Sequence, residues 1–231
     1  MVHRRIRSKS KMRYLITKLN PRSPVSEQYR TVRTNLQFSS ADSAIKSMII
    51  TSSGPGEGKS MTTANLAVVY AQQGKRVLLI DGDMRKPTVH YTFRLDNLQG
   101  LSNILIGESP LEDAITPSSV DHLDLIPCGP IPPNPAELLG SKKMESLIQQ
   151  ASQWYDMTII DTPPVLAVAD AQILANIVDG SLIVVRSGQT EYEAVIEAKE
   201  ALEPANAKLL GAVLNDRDKK RSNYYYYYGT S

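Results

Sequence analysis

The segment IITSSGPGEGKSMTTANLAVVYA, residues 49–71, constrains this chain more than any other stretch. A β-branched apolar run enters a glycine-rich turn, and the turn opens directly into a helical pattern, which is the setting a P-loop requires. Gly54, Gly56 and Gly58 permit backbone angles and a close approach that side chains would block. The predicted cradle comprises Gly54, Pro55, Gly56, Glu57, Gly58, Lys59, Ser60 and Met61. Its N–H groups converge on phosphate oxygens, and the positive end of the following helix adds to their pull. Lys59 is expected to reach the β- and γ-phosphates, and the Ser60 hydroxyl to ligate Mg²⁺. Thr62 and Thr63 suit either phosphate contact or capping of the helix start. The strict pattern asks for glycine at position 53, where this chain has Ser53.

Two further strand ends carry acids. In VLLIDGDMRKP, Asp81 and Asp83 are separated by one residue, so in an extended segment they point the same way across the sheet's carboxyl edge. In TIIDTPP, Asp161 ends another apolar run, the position of a Walker B acid. One strand-end carboxylate is often only a solvated group or a helix cap, but three in register with a P-loop point to a metal site. Mg²⁺ takes hard oxygen ligands and keeps several waters, so Ser60, Asp83 and Asp161 are the expected metal group. Asp81 is then left to orient an attacking hydroxyl and accept its proton, with Lys59 and Asp83 completing the catalytic set. Arg85 suits a charge-offsetting role near the phosphates or a plain surface position. The segments VVRSGQT and AVLNDRD end the last two strands, where a base or ribose sits in such folds, so Arg186 and Asn215 are expected to contact the nucleotide. Asn215 with Asp218 superficially resembles a guanine-binding motif, but its lysine is missing.

Beyond these motifs, apolar β-branched runs alternate with helical patterns from residue 46 onward, which predicts an α/β fold: a mostly parallel sheet with helices on both faces. Strands are expected at 47–52, 76–81, 123–127, 157–161, 181–186 and 209–215, and helices at about 59–73, 142–153, 168–177 and 191–202. The prolines and glycines of segment 86–122 suggest short helical turns, and Asn134 or Pro135 should open another after the proline-rich loop. With 231 residues, 42% hydrophobic and 22% charged, the chain suits one sizeable domain. Net charge is +2, which gives no reason to expect nucleic-acid binding. The single cysteine, Cys128, forms no internal disulfide, and no Cys/His cluster has zinc spacing, so the cytosol is the simplest compartment. No run approaches the ~18 apolar residues of a membrane span.

The chain divides into a basic arm over 1–20, a helix over 21–40, the P-loop domain over 41–218 and a tail over 219–231. The opening MVHRRIRSKSKMR holds six bases and no acid, read as a solvated, flexible arm in preference to a specific anionic contact. In SPVSEQYRTVRTNLQF, Val25, Tyr29, Val32 and Leu36 fall within an arc of about 60° at helical spacing. Glu27, Arg30 and Arg33 occupy a separate stripe, which suits either a head-to-tail contact with a neighbour or an intrahelical Glu27–Arg30 pair. The tail holds five of the chain's 11 tyrosines, Tyr224, Tyr225, Tyr226, Tyr227 and Tyr228, in one run. Next to a phosphoryl-transfer site such a run reads as substrate, and Lys219, Lys220 and Arg221 stand upstream as an electrostatic counterweight to its phosphates.

Taken together, GPGEGKS, LLIDGDMR, IIDTPP, the EQYRTVR helix and the tyrosine-rich tail resemble the bacterial tyrosine kinases of capsule and exopolysaccharide operons, in the form of the separate Gram-positive kinase subunit. The resemblance spans the chain from about residue 21 and implies ATP and Mg²⁺ as cofactors. It also implies trans-autophosphorylation of Tyr224–Tyr228 within a ring, an octamer, built through Glu27, Arg30 and Arg33. The partners it implies are a membrane-embedded activator with a cytoplasmic tail, a cognate tyrosine phosphatase and protein substrates. The place it implies is the cytoplasm, peripheral to the inner face of the membrane. The competing readings are a partitioning or septum-positioning ATPase, which carries a lysine where this chain has Gly54, and a non-catalytic nucleotide-regulated scaffold for polysaccharide export.

Overall fold

The computed structural model describes residues 14–39 and 44–217. Its strands are β1 (Ser47–Ser52), β2 (Val77–Asp81), β3 (Thr116–Pro117), β4 (Leu123–Ile126), β5 (Met157–Asp161), β6 (Gly180–Arg186) and β7 (Lys208–Asn215). Helices α1 (Ile16–Leu19), α2 (Pro24–Phe38), α3 (Lys59–Ala71) and α4 (Val89–Phe93) alternate with the first two strands. The rest are α5 (Leu101–Ile106), α6 (Leu111–Ala114), α7 (Pro135–Leu139), α8 (Lys142–Trp154), α9 (Asp170–Ala175) and α10 (Tyr192–Leu202). The strands join in the order β3-β4-β2-β5-β1-β6-β7, and every pairing is parallel except that of β3 with β4.

Helices cover both faces, so the central strands are mostly apolar, and β1, β2 and β5 are buried at every position. The pleat divides their side chains. Ile49, Leu78, Ile80 and Ile160 pack with α5–α10 on one face, whereas Met48, Ile50, Val77, Leu79 and Ile159 pack with α1–α4 on the other. The expected α/β class, the strands and the short turns between 86 and 122 are all present. The additional strand β3 ends in a proline, which an edge position tolerates because its missing N–H faces no partner. Among the described residues no helix is long and apolar enough to cross a membrane.

The N-terminal segment differs from expectation after Tyr14. The basic composition stops at Arg13, and the following LITKL is apolar enough to pack. Leu15 joins the core, and the buried Thr17 donates from its N–H and Oγ1 to Asn65 Oδ1 of α3 at 3.1 and 2.8 Å. Gln72 Nε2 donates to the Thr17 carbonyl at 2.9 Å, so α1 is stitched onto the P-loop helix. Residues 1–13 and the tyrosine tail lie outside the described residues.

Helix α2 begins at Pro24 because Ser23 caps it, its Oγ accepting from the Ser26 N–H at 3.1 Å, and proline's fixed φ suits the first turn. Its apolar stripe docks as expected, with Leu36 buried and Tyr29 and Val32 packed against the core.

Candidate active site

Strand order brings two of the site's acids together. β2, β5 and β1 are adjacent, and their register sets Asp81 opposite Asp161 and Ile50 opposite Asp161. Neighbouring parallel strands lie about 4.8 Å apart. Two carboxylates are therefore fixed side by side where β1 runs into the phosphate loop.

Gly56 and Gly58 hold φ of 81° and 92° in that loop, the left-handed region that favours glycine. A Cβ on Gly58 would stand 2.1 Å from Asn215 Nδ2, so side-chain volume is excluded there as well. Ser53, which replaces the first glycine of the strict pattern, needs no positive φ and is buried.

Lys59 leads α3 and turns its ammonium toward the acids. Nζ lies 3.1 Å from Asp83 Oδ2, 3.4 Å from Asp161 Oδ1 and 3.3 Å from Ser60 Oγ. Burial works to lower the Lys59 pKa, but the surrounding charges of Asp161, Asp83 and Asp81 outweigh it and the net shift is upward. Thr63 Oγ1 donates to Asp161 Oδ1 at 3.3 Å, and Asp83 Oδ1 accepts from the Lys86 N–H at 3.0 Å.

Asp81 is completely buried. Its Oδ2 accepts from the N–H groups of Thr88 and Val89 at 2.8 and 2.9 Å, which fixes the carboxyl plane. Burial first, and then the charge of Asp161, push its pKa up to about 7 against the pull of those two N–H groups. Asp161 is likewise raised by burial, with Lys59 opposing. Cys128 is also buried, and burial pushes its thiol up to about 12.

The donor set fits a magnesium ion. Asp81 Oδ1 and Asp161 Oδ2 are buried without a hydrogen-bond partner, and Ser60 Oγ, Asp83 and Asp161 supply hard oxygens beside them. Among the described residues no group of three or more His, Cys, Asp or Glu side chains forms a protein-only cage. Magnesium does not ask for one, because it completes its shell with phosphate oxygens and water.

The other expected site residues are distributed differently. Arg85 makes a two-pronged ion pair with the buried Asp170, at 2.9 and 3.0 Å, so it anchors the loop after β2 to α9. Asp170 carried no sequence signal beyond an acid at a helix start. Arg186 and Asn215 reach the phosphate loop itself: Arg186 Nη1 donates to the Gly56 carbonyl at 3.2 Å and Asn215 Nδ2 to that of Glu57 at 2.9 Å. Thr190, beyond Arg186 in VVRSGQT, donates to Glu57 Oε1 at 2.9 Å and was missed because a lone loop threonine has no distinctive pattern. On α2, Glu27 pairs with Arg30, while Arg33 Nη1 donates to the Val69 carbonyl at 2.7 Å. The stripe of three charges is thus split between a helix-surface pair and an internal tie to α3.

Loop, sheet and acids together define a P-loop nucleotide-binding α/β protein, and the AAA domain family model matches residues 45–204. The chain belongs to the bacterial tyrosine-protein kinases. It is 55% identical over 230 residues to the tyrosine-protein kinase YwqD of Bacillus subtilis (strain 168), spanning 100% of this chain and 97% of that protein. Among solved structures, the chimerical protein CapA2B2 is 46% identical with a TM-score of 0.86, covering 89% of this chain and 90% of that one. The kinase domain of the Escherichia coli tyrosine kinase ETK is 36% identical with a TM-score of 0.87, covering 98% and 89%.

Proposed function

We propose that this protein transfers the γ-phosphoryl group of ATP to tyrosine, that its own tail residues Tyr224–Tyr228 are substrates, and that this activity regulates capsule or exopolysaccharide synthesis and export. The observation that carries the reading is the convergence of Lys59, Ser60, Asp81, Asp83 and Asp161 at one sheet edge behind a phosphate loop. In phosphoryl transfer the protein's work is positioning and charge stabilisation. Lys59 exchanges its contacts with Asp83 and Asp161 for the β- and γ-phosphates. Ser60, Asp83 and Asp161 would hold Mg²⁺, which neutralises charge on the phosphate oxygens. Asp81, fixed through Oδ2, offers Oδ1 to the tyrosine hydroxyl and takes its proton.

Complete burial of Asp81 means the tyrosine enters only as the covering side chains part. The assembly that delivers it is a ring, an octamer in the family pattern, through α2 and its Glu27, Arg30 and Arg33, with each tail entering a neighbour's site. A membrane-embedded activator with a cytoplasmic tail holds the kinase at the inner face of the membrane, and a cognate phosphatase resets it. The test is incubation with ATP and Mg²⁺, activator segment supplied, followed by phosphotyrosine detection. Labelling of the wild type that disappears when the five tail tyrosines become phenylalanine is the expected result; ATP hydrolysis without labelling would sink the reading.

A further inference from the structure

A carboxylate inside a phosphate-binding loop has the wrong sign, yet Glu57 sits between Gly56 and Gly58. The structure shows what it does there. Glu57 is 7% exposed, and its side chain folds back onto the start of its own loop. Oε2 accepts from the Ser53 N–H at 3.2 Å, Oε1 from Ser53 Oγ at 3.0 Å, from the Gly54 N–H at 3.2 Å and from Thr190 Oγ1 at 2.9 Å. Thr190 Oγ1 itself accepts from the Arg186 N–H at 2.9 Å, so this hydroxyl is held on both sides. Serine at position 53 is thereby part of the arrangement, because glycine would lack the hydroxyl.

The backbone of the same two residues is gripped from β6 and β7. Arg186 Nη1 holds the Gly56 carbonyl and Asn215 Nδ2 the Glu57 carbonyl. Arg186 is fixed in turn by Asp216, its Nε and Nη2 lying 3.0 and 2.7 Å from Oδ2. A trans peptide is planar, with its C=O and the next N–H pointing in opposite directions. Pinning the Gly56 and Glu57 carbonyls toward β6 and β7 therefore turns the N–H groups of Glu57 and Gly58 the other way. Neither N–H is bonded to another described residue.

We infer that Glu57, Thr190, Arg186 and Asn215 form a clamp that pre-sets the phosphate loop by aiming its N–H groups at phosphate oxygens, and that they are positioning residues, not readers of the nucleotide base. This rests on the nucleotide reading of the loop given above. It assigns the ends of β6 and β7 a share in phosphate affinity, although they stand where a base-reading role is expected.

The two roles separate by ligand. Calorimetry on the full-length protein would compare Mg²⁺ complexes of ATP, GTP and inorganic tripolyphosphate for the wild type, Thr190→Val and Asn215→Ala. Asn215→Ala removes one hydrogen bond between neutral groups, and Thr190→Val removes both the one donated to the Glu57 carboxylate and the one accepted from the Arg186 N–H, so a loss of about 10-fold in affinity is expected for each. The clamp requires the same factor for all three ligands and an unchanged ATP-to-GTP ratio. If ATP affinity falls while tripolyphosphate affinity is kept, the residues read the base and the clamp is wrong. If both variants bind all three ligands like the wild type, the clamp is also wrong, while the nucleotide reading survives. Failure of the wild type to bind Mg–ATP would instead overturn the nucleotide reading itself.

Discussion

Lys59 and Asp81 show how burial sets the behaviour of single residues. The Lys59 ammonium is nearly enclosed, and its two acid partners are more so, with side chains only 7% and 0% exposed. Removing one member of such a group leaves an uncompensated buried charge, which costs about 3–5 kcal/mol in comparable pairs. Lys59→Met should therefore abolish phosphotyrosine labelling and also lower stability to urea near neutral pH, a loss that shrinks as acid protonates Asp161. Equal urea stability of variant and wild type would contradict the pairing. Asp81 has the opposite sign. Its pKa is raised from 3.8 to about 7, so the folded state holds the proton more tightly than the unfolded chain. Its contribution is fully present below about pH 4 and is lost as pH rises toward 7. Asp81→Asn should abolish labelling and flatten that decline, seen as a smaller difference in urea midpoint between about pH 4 and 7 than in the wild type.

At the scale of elements, α2 illustrates what the sequence can and cannot disclose. Helical spacing identified the apolar stripe of Val25, Tyr29, Val32 and Leu36, of which Tyr29, Val32 and Leu36 pack on the core, because docking of an amphipathic helix follows from the stripe alone. The fate of Glu27, Arg30 and Arg33 depends on tertiary neighbours: Arg33 reaches the Val69 carbonyl, 36 residues away, and no local pattern encodes that. The same limit hid α1, a single turn held by Asn65 and Gln72, and the Arg85–Asp170 pair. By contrast the P-loop and the strand-end acids were legible, since the loop chemistry is local and burial on both faces forces mostly apolar strands. The split of the α2 charges has a measurable consequence. Glu27→Ala with Arg30→Ala removes a partly exposed pair and should change monomer stability by less than about 0.5 kcal/mol, while Arg33→Ala removes a tie to α3 and should cost about 1 kcal/mol. If the helix builds a ring, the Glu27/Arg30 double variant still shifts the protein to a smaller species on sizing. A double variant as destabilising as Arg33→Ala would show that the pair is structural.

For the whole molecule, the proposed tail modification turns on which site would serve which tail. β7 ends at Asn215, beside the phosphate loop that its side chain grips, and the described chain continues only to Arg217. The first tail tyrosine, Tyr224, follows Arg217 by seven residues. An extended chain covers at most about 3.5 Å per residue, so the intervening length does not by itself confine the run to its own loop. Mixing decides between a chain's own site and a neighbour's. One partner carries Lys59→Met with an intact tail and can be labelled but cannot transfer phosphate; the other carries five Tyr→Phe changes at 224–228 and an intact site. Transfer between subunits predicts that neither is labelled alone and that the Lys59→Met chain is labelled in the mixture, more strongly as concentration favours assembly. Adding Glu27→Ala and Arg30→Ala to both should then reduce the mixed labelling, while Mg–ATP binding by the chain that keeps Lys59 stays intact, because the α2 pair lies outside the phosphate loop. A mixture as silent as its components would mean that each tail is served only by its own site.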